Sequence, residues 1–162
     1  IATLAERLSK AGWETAAFVS GFPLARSLGF GRGFGRYDDS LPDGPSGRKE
    51  RRAKATAAAA SAWIGETRGP FFAWVHFYDP HAPYEPPPAF AQSGPRGAYD
   101  GEVSYVDYQV GRLLAAAKAR GKMLDVVVDI DPGIRRTGVA SPEAALALTQ
   151  RIAAACCDTA VF

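Results

Sequence analysis

The sequence has only two cysteines, only two histidines and almost no excess of charge of either sign. Cys156 and Cys157 are adjacent, and adjacent residues rarely adopt the geometry that a disulfide requires. The 19 basic and 17 acidic side chains give a net charge of +2, too small for a strong field that attracts nucleic acid or anionic lipid. No stretch contains the ~20 apolar residues of a membrane-spanning helix. The sequence therefore predicts no disulfide framework, no nucleic-acid partner and no membrane span, and it leaves the oligomeric state open.

What the sequence does contain is an alternation of helical and strand-like segments. Thr3 and Glu6 form a capping-box pair that predicts a first helix, and Gly12 is placed to end it. Residues 15–20 (TAAFVS) predict a buried strand. Residues 71–78 (FFAWVHFY) predict a central parallel strand with buried aromatic side chains.

The remaining segments continue this alternation. Helices are predicted at 48–67, 98–120 and 141–155, a strand at 124–130, and a long surface loop in the glycine-rich stretch 21–47. Alternating strands and helices indicate an α/β fold with a mostly parallel sheet and helices on both faces. Ligands of such sheets bind at the carboxyl ends of the strands, where the proline-rich loop after residue 78 should lie.

The charge pattern predicts which of these residues are exposed. The basic residues between Arg48 and Lys54 have no interleaved aromatic residues, which is typical of a solvated helix face rather than a phosphate-binding patch. We also interpret the pair Asp38 and Asp39 as exposed loop. The helix at 98–120 is expected to bury an apolar stripe made of Val103, Val106, Val110, Leu113 and Ala117.

The densest cluster of chemically active side chains is HFYDPHAPY at 76–84, which contains both histidines. A histidine at a strand end can bind an anionic oxygen or act as a general acid, because its unperturbed pKa is about 6.5. The alternative is structural: His76 packs in the sheet and His81 caps the proline turn. A metal site made of His76, Asp79 and His81 is disfavoured, because two of its ligands would straddle that turn.

Four segments resemble the sulfatase family, and they occur in the order that this family shows. They are TLAERLSKAGWETAAFVS, GFGRGFGRYDD, PFFAWVHFYDPHAPYEPP and YDGEVSYVDYQVGRLL. The third is similar to the sulfatase segment in which a strand ends in a Pro-His pair, and the fourth to the helix that follows it. The resemblance covers residues 1–121 and implies a partial alkaline-phosphatase-like α/β sandwich. It also implies a sulfuric ester hydrolase, whereas related phosphate and phosphonate ester hydrolases share the fold.

The resemblance implies roles for three residues. In sulfatases the histidine of the Pro-His pair contacts the sulfate ester, and His81 is the residue that matches it, so His81 is the candidate catalytic residue. As a donor to a sulfate oxygen, it stabilises charge that develops during cleavage. His76 and Asp79 are candidate substrate-binding residues. The implied substrate is a sulfate ester of a small molecule or a glycan. The sequence leaves the compartment open, and the resemblance allows a periplasmic or other extracytoplasmic location.

The resemblance implies two cofactors for which this sequence holds no residues. Sulfatases convert a cysteine or serine in a Cys/Ser-x-Pro/Ala-x-Arg motif to formylglycine, and no segment of this chain fits that motif. The paired aspartates that hold calcium in the family stand near its amino terminus and have no counterpart here. We therefore expect this piece of a sulfatase-type hydrolase to be inactive by itself. A folded, non-catalytic remnant is the alternative.

The last quarter of the sequence resembles a different class of enzyme. The run DIDPGIRRTGVASPEAALALTQRIAAA stands where sulfatases have a strand that closes in Ser/Thr-Asp-His/Asn-Gly. Residues 122–157 resemble a strand-loop-helix unit of the pyridoxal-phosphate enzymes related to D-threonine aldolase and alanine racemase. Arg136 matches the arginine near their cofactor. Their Schiff-base lysine motif is not found, and Lys122 does not match it.

Near Lys122 the resemblance changes from sulfatases to pyridoxal-phosphate enzymes, and two explanations of this change stay open. We favour a join, so that residues 122–162 form a β-α unit of different origin from residues 1–121. The rival explanation is a diverged sulfatase in which Asp129 or Asp131 replaces the usual metal ligands. A pyridoxal-phosphate aldolase or racemase is a further alternative, which a yellow cofactor absorbance of the purified protein would favour.

The join predicts that calcium does not stabilise this chain. Calcium takes about 6–8 oxygen ligands, and Asp131 would meet it without an aspartate pair beside it. We therefore expect the same melting temperature in calcium chloride and in chelator. A calcium-dependent rise that disappears in Asp131→Asn would identify the strand before it as a sulfatase metal strand, and the join hypothesis would have to be dropped.

Overall fold

The computed structural model describes residues 1–43, 47, 49–125 and 139–155. The chain divides into two compact units, Ile1–Arg120 and Gly121–Phe162. The strand predicted at 124–130 falls almost entirely outside the described residues. The residues of the predictions that lie outside them are Arg48, Asp129, Asp131, Arg136, Cys156 and Cys157.

A three-stranded parallel sheet forms the centre of the described part of the first unit. Strand β1 (Glu14–Val19) lies between β2 (Arg36–Asp38) and β3 (Phe71–His76). It pairs with β3 along its full length and with β2 over three positions. The helices of the unit are α1 (Leu4–Lys10), α2 (Ala53–Glu66) and α3 (Gly97–Lys118).

The predicted α/β fold with a parallel sheet is confirmed, but the strand predicted at 71–78 is not the central one of the described sheet. Among the described strands, β1 is central and β3 lies at one side, and β3 ends at His76 rather than at residue 78. Burial agrees with this order, because residues 15–19 of β1 are all buried and every residue of β3 is half-buried. An aromatic run predicts a strand, but it does not decide which strand is central.

The two faces of β1 pack against different layers, because successive side chains of a strand point to opposite faces. Phe18 packs on Trp63 of α2, with the ring centroids 5.9 Å apart. The opposite face carries a core cluster of Ala17, Val19 and Tyr37, which is surrounded by Leu24, Phe34 and Trp74. The sheet therefore has α2 on one face and the folded stretch around β2 on the other.

The glycine-rich stretch packs tightly on α1 and β1. Gly33 has a φ of +83°, and a Cβ atom there would lie 2.2 Å from the backbone nitrogen of Glu6. The Thr15 hydroxyl donates to the Gly33 carbonyl at 2.8 Å and accepts from the Gly35 N–H at 3.0 Å. Arg32 adds an ion pair to Glu6 at 3.0 Å. The prediction of a surface loop throughout 21–47 is therefore wrong, because this packing aligns β2 with β1.

Helix α3 buries a different stripe from the predicted one. Its buried residues are Gly97, Gly101, Glu102, Tyr105, Gln109, Leu113 and Ala117. Leu113 and Ala117 are buried as predicted, but Val103 is 41% exposed. The helix therefore turns polar side chains, including Glu102, toward the rest of the unit.

The second unit contains helix α4 (Pro142–Ala155), as the sequence predicts. The hydroxyl of Ser141 caps its first turn, where it accepts a hydrogen bond from the Ala144 N–H at 3.2 Å. Hydrogen bonding to Ser141 also lowers the pKa of Glu143. Such contacts satisfy backbone N–H groups that have no partner within the helix.

We expect Phe18→Ala to lower the free energy of unfolding by about 3–5 kcal/mol, because it leaves a cavity between β1 and α2. Phe18 is fully buried, whereas Phe22 is 52% exposed. Phe22→Ala is therefore a matched control, with an expected loss of about 0.5 kcal/mol. Urea unfolding measures both variants, and equal losses would contradict the core assignment.

Candidate functional site

The carboxyl ends of β1 and β3 lie side by side at one edge of the sheet, because the two strands are parallel and paired in full register. Ser20 and Gly21 follow β1 at this edge, and the proline-rich loop follows β3. A narrow cleft separates this loop from the segment that leads into α2 and from α3. It is lined by Glu50, Arg51, Arg52, Tyr78, Asp79, His81, Pro83 and Glu102.

His81 is exposed on this loop and makes two local contacts. Its ring stacks on Tyr78, with centroids 4.4 Å apart and planes inclined by 15°. Its Nδ1 lies 2.8 Å from the carbonyl oxygen of Ala82. Because a carbonyl oxygen can only accept, Nδ1 carries the hydrogen of this contact, and Nε2 is the ring nitrogen that remains for a ligand.

Tyr78 connects His81 to the end of β1. A Cβ atom on Gly21 would lie 2.5 Å from Cδ2 of Tyr78, so the tyrosine ring packs directly on the glycine backbone. His81 in turn stacks on that ring. The stack therefore requires that residue 21 has no side chain. No pattern in the sequence indicates this requirement, since Gly21 is one glycine among many in its stretch.

His76 ends β3 and is half-buried. Its Nδ1 is buried and has no hydrogen-bond partner in the part of the chain that the structure describes. Burial lowers the pKa of His76 below its ordinary value, because burial disfavours the charged ring. Its ring centroid lies 6.4 Å from that of Tyr78. These contacts describe a histidine packed at the sheet edge, and its role in substrate binding stays a prediction.

Asp79 is buried and lies against the first residue of α2. Its Oδ2 accepts a hydrogen bond from the Ala53 N–H at 2.9 Å. Its Oδ1 lies 3.3 Å from Nη1 of Arg52. A carboxylate in this position satisfies an unpaired N–H group and interacts favourably with the positive end of the helix dipole. The structure therefore gives Asp79 a helix-capping contact, and its role in substrate binding stays a prediction.

Glu102 is only 1% exposed and is joined to Arg52. Its Oε1 lies 3.2 Å from Nη1 of Arg52 and accepts a hydrogen bond from the Glu85 N–H at 2.9 Å. The Arg52 guanidinium also donates to the Glu85 carbonyl. Arg52, Asp79 and Glu102 therefore form one ion-pair cluster beside the loop that carries His81, which we call the Arg52 cluster.

Arg51 forms a separate ion pair with Asp38. Its Nη1 lies 2.9 Å from Oδ1 of Asp38, and its Nη2 donates to the Asp38 carbonyl at 3.1 Å. Burial acts to raise the pKa of Asp38, but the Ser40 N–H and the Arg51 charge outweigh it and hold that pKa below its ordinary value. The solvated-face interpretation is therefore wrong for Arg51, and the exposed-loop interpretation is wrong for Asp38.

The described residues do not form a metal site. No group of three or more histidine, cysteine, aspartate or glutamate side chains among them is placed to hold a metal ion. This part of the chain therefore does not fit the calcium that the sulfatase resemblance implies. In the same residues, no helix combines the length and apolar character that crossing a membrane requires.

Solved structures define the class of this fold. A protein of the alkaline phosphatase superfamily from Vibrio parahaemolyticus matches with a TM-score of 0.57 and 23% identity, over 72% of this chain and 31% of that one. The lipoteichoic acid synthase LtaP from Listeria monocytogenes matches with a TM-score of 0.56 and 19% identity, over 75% and 34% of the two chains. Ps i-CgsB in complex with k-i-k-neocarrahexaose matches with a TM-score of 0.52 and 17% identity, over 73% and 37%. The chain has the fold of the alkaline phosphatase superfamily and spans 31–37% of the length of these structures.

A family model identifies the family within this class. The sulfatase model matches residues 1–129, and the chain therefore belongs to the sulfatase family. No curated protein matches the chain. The sulfatase match ends within the strand predicted at 124–130. The join near Lys122 and the resemblance of the last quarter to pyridoxal-phosphate enzymes stay predictions.

His76 is expected to titrate below the ordinary histidine value of about 6.5, because burial disfavours its charged form. Between its folded and unfolded pKa values, the native state then binds fewer protons than the unfolded state. His76 therefore contributes stability that is present above about pH 6.5 and is lost as the pH falls through its folded pKa.

NMR of the two histidine rings measures this pKa directly, and His76→Gln assigns the signals. The same substitution should also reduce the fall in unfolding free energy on acidification. A His76 midpoint at or above the ordinary value would contradict the prediction.

Proposed function

We propose that this chain is part of a hydrolase that cleaves sulfate esters and that His81 contacts the sulfate group. The observation that carries the proposal is the place of His81. It is exposed on the loop at the carboxyl edge of a parallel sheet, inside the region that matches the sulfatase family. Ligands of open α/β sheets bind at this edge.

The contacts of His81 favour binding through a charged ring. Nδ1 holds its hydrogen toward the Ala82 carbonyl, so the neutral ring has only a lone pair at Nε2. Nε2 donates to a sulfate oxygen when the ring takes up a second proton. The resulting imidazolium then stabilises negative charge on the ester as the bond to the leaving group breaks. Stacking on Tyr78 fixes the plane of the ring for this contact.

The other parts of the reaction require residues that this sequence does not contain. In sulfatases formylglycine supplies the nucleophile and calcium supplies positive charge near the sulfate group. No segment of the chain fits the formylglycine motif, and the described residues do not fit calcium. We therefore propose that this chain contributes the histidine, and that turnover requires the nucleophile and the metal ligands of a complete sulfatase.

The proposed substrate class is a sulfate ester of a small molecule or a glycan. The complex of Ps i-CgsB with k-i-k-neocarrahexaose supports a glycan, because that structurally similar protein holds a carbohydrate ligand. The His81 ring is also exposed, so a ligand can reach it from solvent. An aryl sulfate is therefore a suitable first probe, and sulfated oligosaccharides are the second.

In a sulfatase that carries these residues with a nucleophile motif and metal ligands, we expect His81→Ala to lower kcat/KM for 4-nitrophenyl sulfate by ~10²–10³, the typical loss for one charge-stabilising donor. His81→Gln keeps an N–H donor without the charge and should recover little of this loss. Arg32→Gln removes an exposed cation far from His81 in the sequence and should have no effect.

Two results would refute the proposal. One is parental activity in His81→Ala, which would return His81 to a structural role. The other is a preference for 4-nitrophenyl phosphate over the sulfate, which would assign the site to phosphate esters. The 162-residue chain alone is expected to give no turnover.

A further inference from the structure

The position of His81 depends on the backbone of its loop. Its contacts are with Tyr78, whose ring packs on Gly21 at the end of β1, and with Ala82, which lies in the same loop. A side chain with only local contacts moves whenever its loop moves. The groups that hold the two ends of this loop therefore determine the position of Nε2 of His81.

Both ends of the loop are held by the Arg52 cluster. At the first end, Asp79 accepts from the Ala53 N–H and lies 3.3 Å from Arg52. At the second end, the Glu85 N–H donates to Glu102 at 2.9 Å, and the Glu85 carbonyl accepts from Arg52. One guanidinium group therefore contacts both ends of the segment that carries His81.

We propose that Arg52 and Glu102 are positioning residues for His81. They clamp the ends of its loop and so hold the imidazole in place for an anionic group. The function of the clamp rests on the proposed contact between His81 and sulfate. The effect of the clamp on the loop is independent of that contact. The clamp and the sulfate contact can therefore be tested separately.

Charge makes Arg52 necessary. Asp79 and Glu102 are 7% and 1% exposed, and Oδ1 of Asp79 and Oε2 of Glu102 have no hydrogen-bond partner among the described residues. Nη1 of Arg52 lies within 3.3 Å of both carboxylates. Without Arg52, two buried carboxylates are left without their cation, which is strongly unfavourable. We expect the loop to open so that water can reach them.

Geometry makes arginine preferable to lysine. Arg52 contacts two carboxylates through Nη1 and the Glu85 carbonyl through Nη2. A guanidinium presents five N–H donors in a fixed fork, whereas an ammonium is a compact point charge. Arg52→Lys therefore retains a cation for the buried acids, which favours folding, but it cannot bridge both loop ends in the same way.

The experiment is NMR of the histidine rings in the whole chain, which contains only two. The measured contact is the nuclear Overhauser effect between the rings of His81 and Tyr78. We expect it in the wild type, and we expect its loss in Arg52→Gln and Arg52→Lys with the His76 signal unchanged. Glu102→Gln should weaken it, because it removes the charge that pairs with Arg52.

Arg51→Gln is the matched control. It removes the neighbouring arginine and breaks a buried ion pair, but its partner Asp38 lies in β2 rather than in the loop. It should lower the melting temperature and leave the His81–Tyr78 contact intact. A general loss of stability therefore cannot imitate the expected result.

Two outcomes would overturn the proposal. One is a folded Arg52→Gln or Arg52→Lys chain with a wild-type contact between His81 and Tyr78. The other is equal loss of that contact in Arg51→Gln. If Arg52→Gln does not fold, Arg52→Lys decides the question.

A titration with inorganic sulfate separates this proposal from the proposed function. If sulfate shifts the His81 signal in the wild type and shifts it less in Arg52→Lys, both proposals are supported. If sulfate does not shift His81 although the Arg52 variants lose the ring contact, the loop clamp stands and the sulfate contact of His81 fails. Chloride at equal ionic strength is the control for non-specific anion effects.

Discussion

The parallel pairing of β1 with β3 is the constraint on which the candidate site depends. Its register, from Glu14 opposite Phe71 to Val19 opposite His76, brings the ends of both strands to one edge. Gly21 then meets the ring of Tyr78, and the absence of a side chain at Gly21 allows the ring to lie on the backbone. The tyrosine ring gives the loop after β3 a fixed surface. The register of β1 with β3 therefore determines the position of His81, the only exposed histidine among the described residues.

Two consecutive arginines at the start of α2 join this edge to the rest of the unit. Arg51 pairs with Asp38 of β2, while Arg52 pairs with Asp79 and Glu102. Charged side chains are mostly exposed and are seldom fully buried unless they are paired. A local run of basic residues therefore looks like a solvated face, and no local pattern in the sequence distinguishes these two arginines from one. The partner of Arg52 in α3 is 50 positions away in the sequence. Only the tertiary fold decides that these charges meet.

Signals between sequence neighbours predicted the elements well. The capping box of Thr3 and Glu6, the strand at 15–20 and the long helix α3 depend on such signals, and the structure has all three. Strand β2 could not be predicted in this way, because its three residues follow a run of glycines and align with β1 through contacts made by Gly33. The burial of Glu102 and the position of β3 at one side of the described sheet were missed for the same reason. Both are set by neighbours distant in the sequence.

The described contacts of His81 lie within the unit Ile1–Arg120. Gly21, Tyr78, the loop and the Arg52 cluster all belong to it. Among the described residues, the contacts that define the ring of His81 are with Tyr78 and Ala82. The origin of residues 122–162 is therefore a separate question from the role of His81. The described groups that hold this histidine precede the point where a diverged sulfatase strand and a join to another enzyme differ, so the loop clamp is proposed under both explanations.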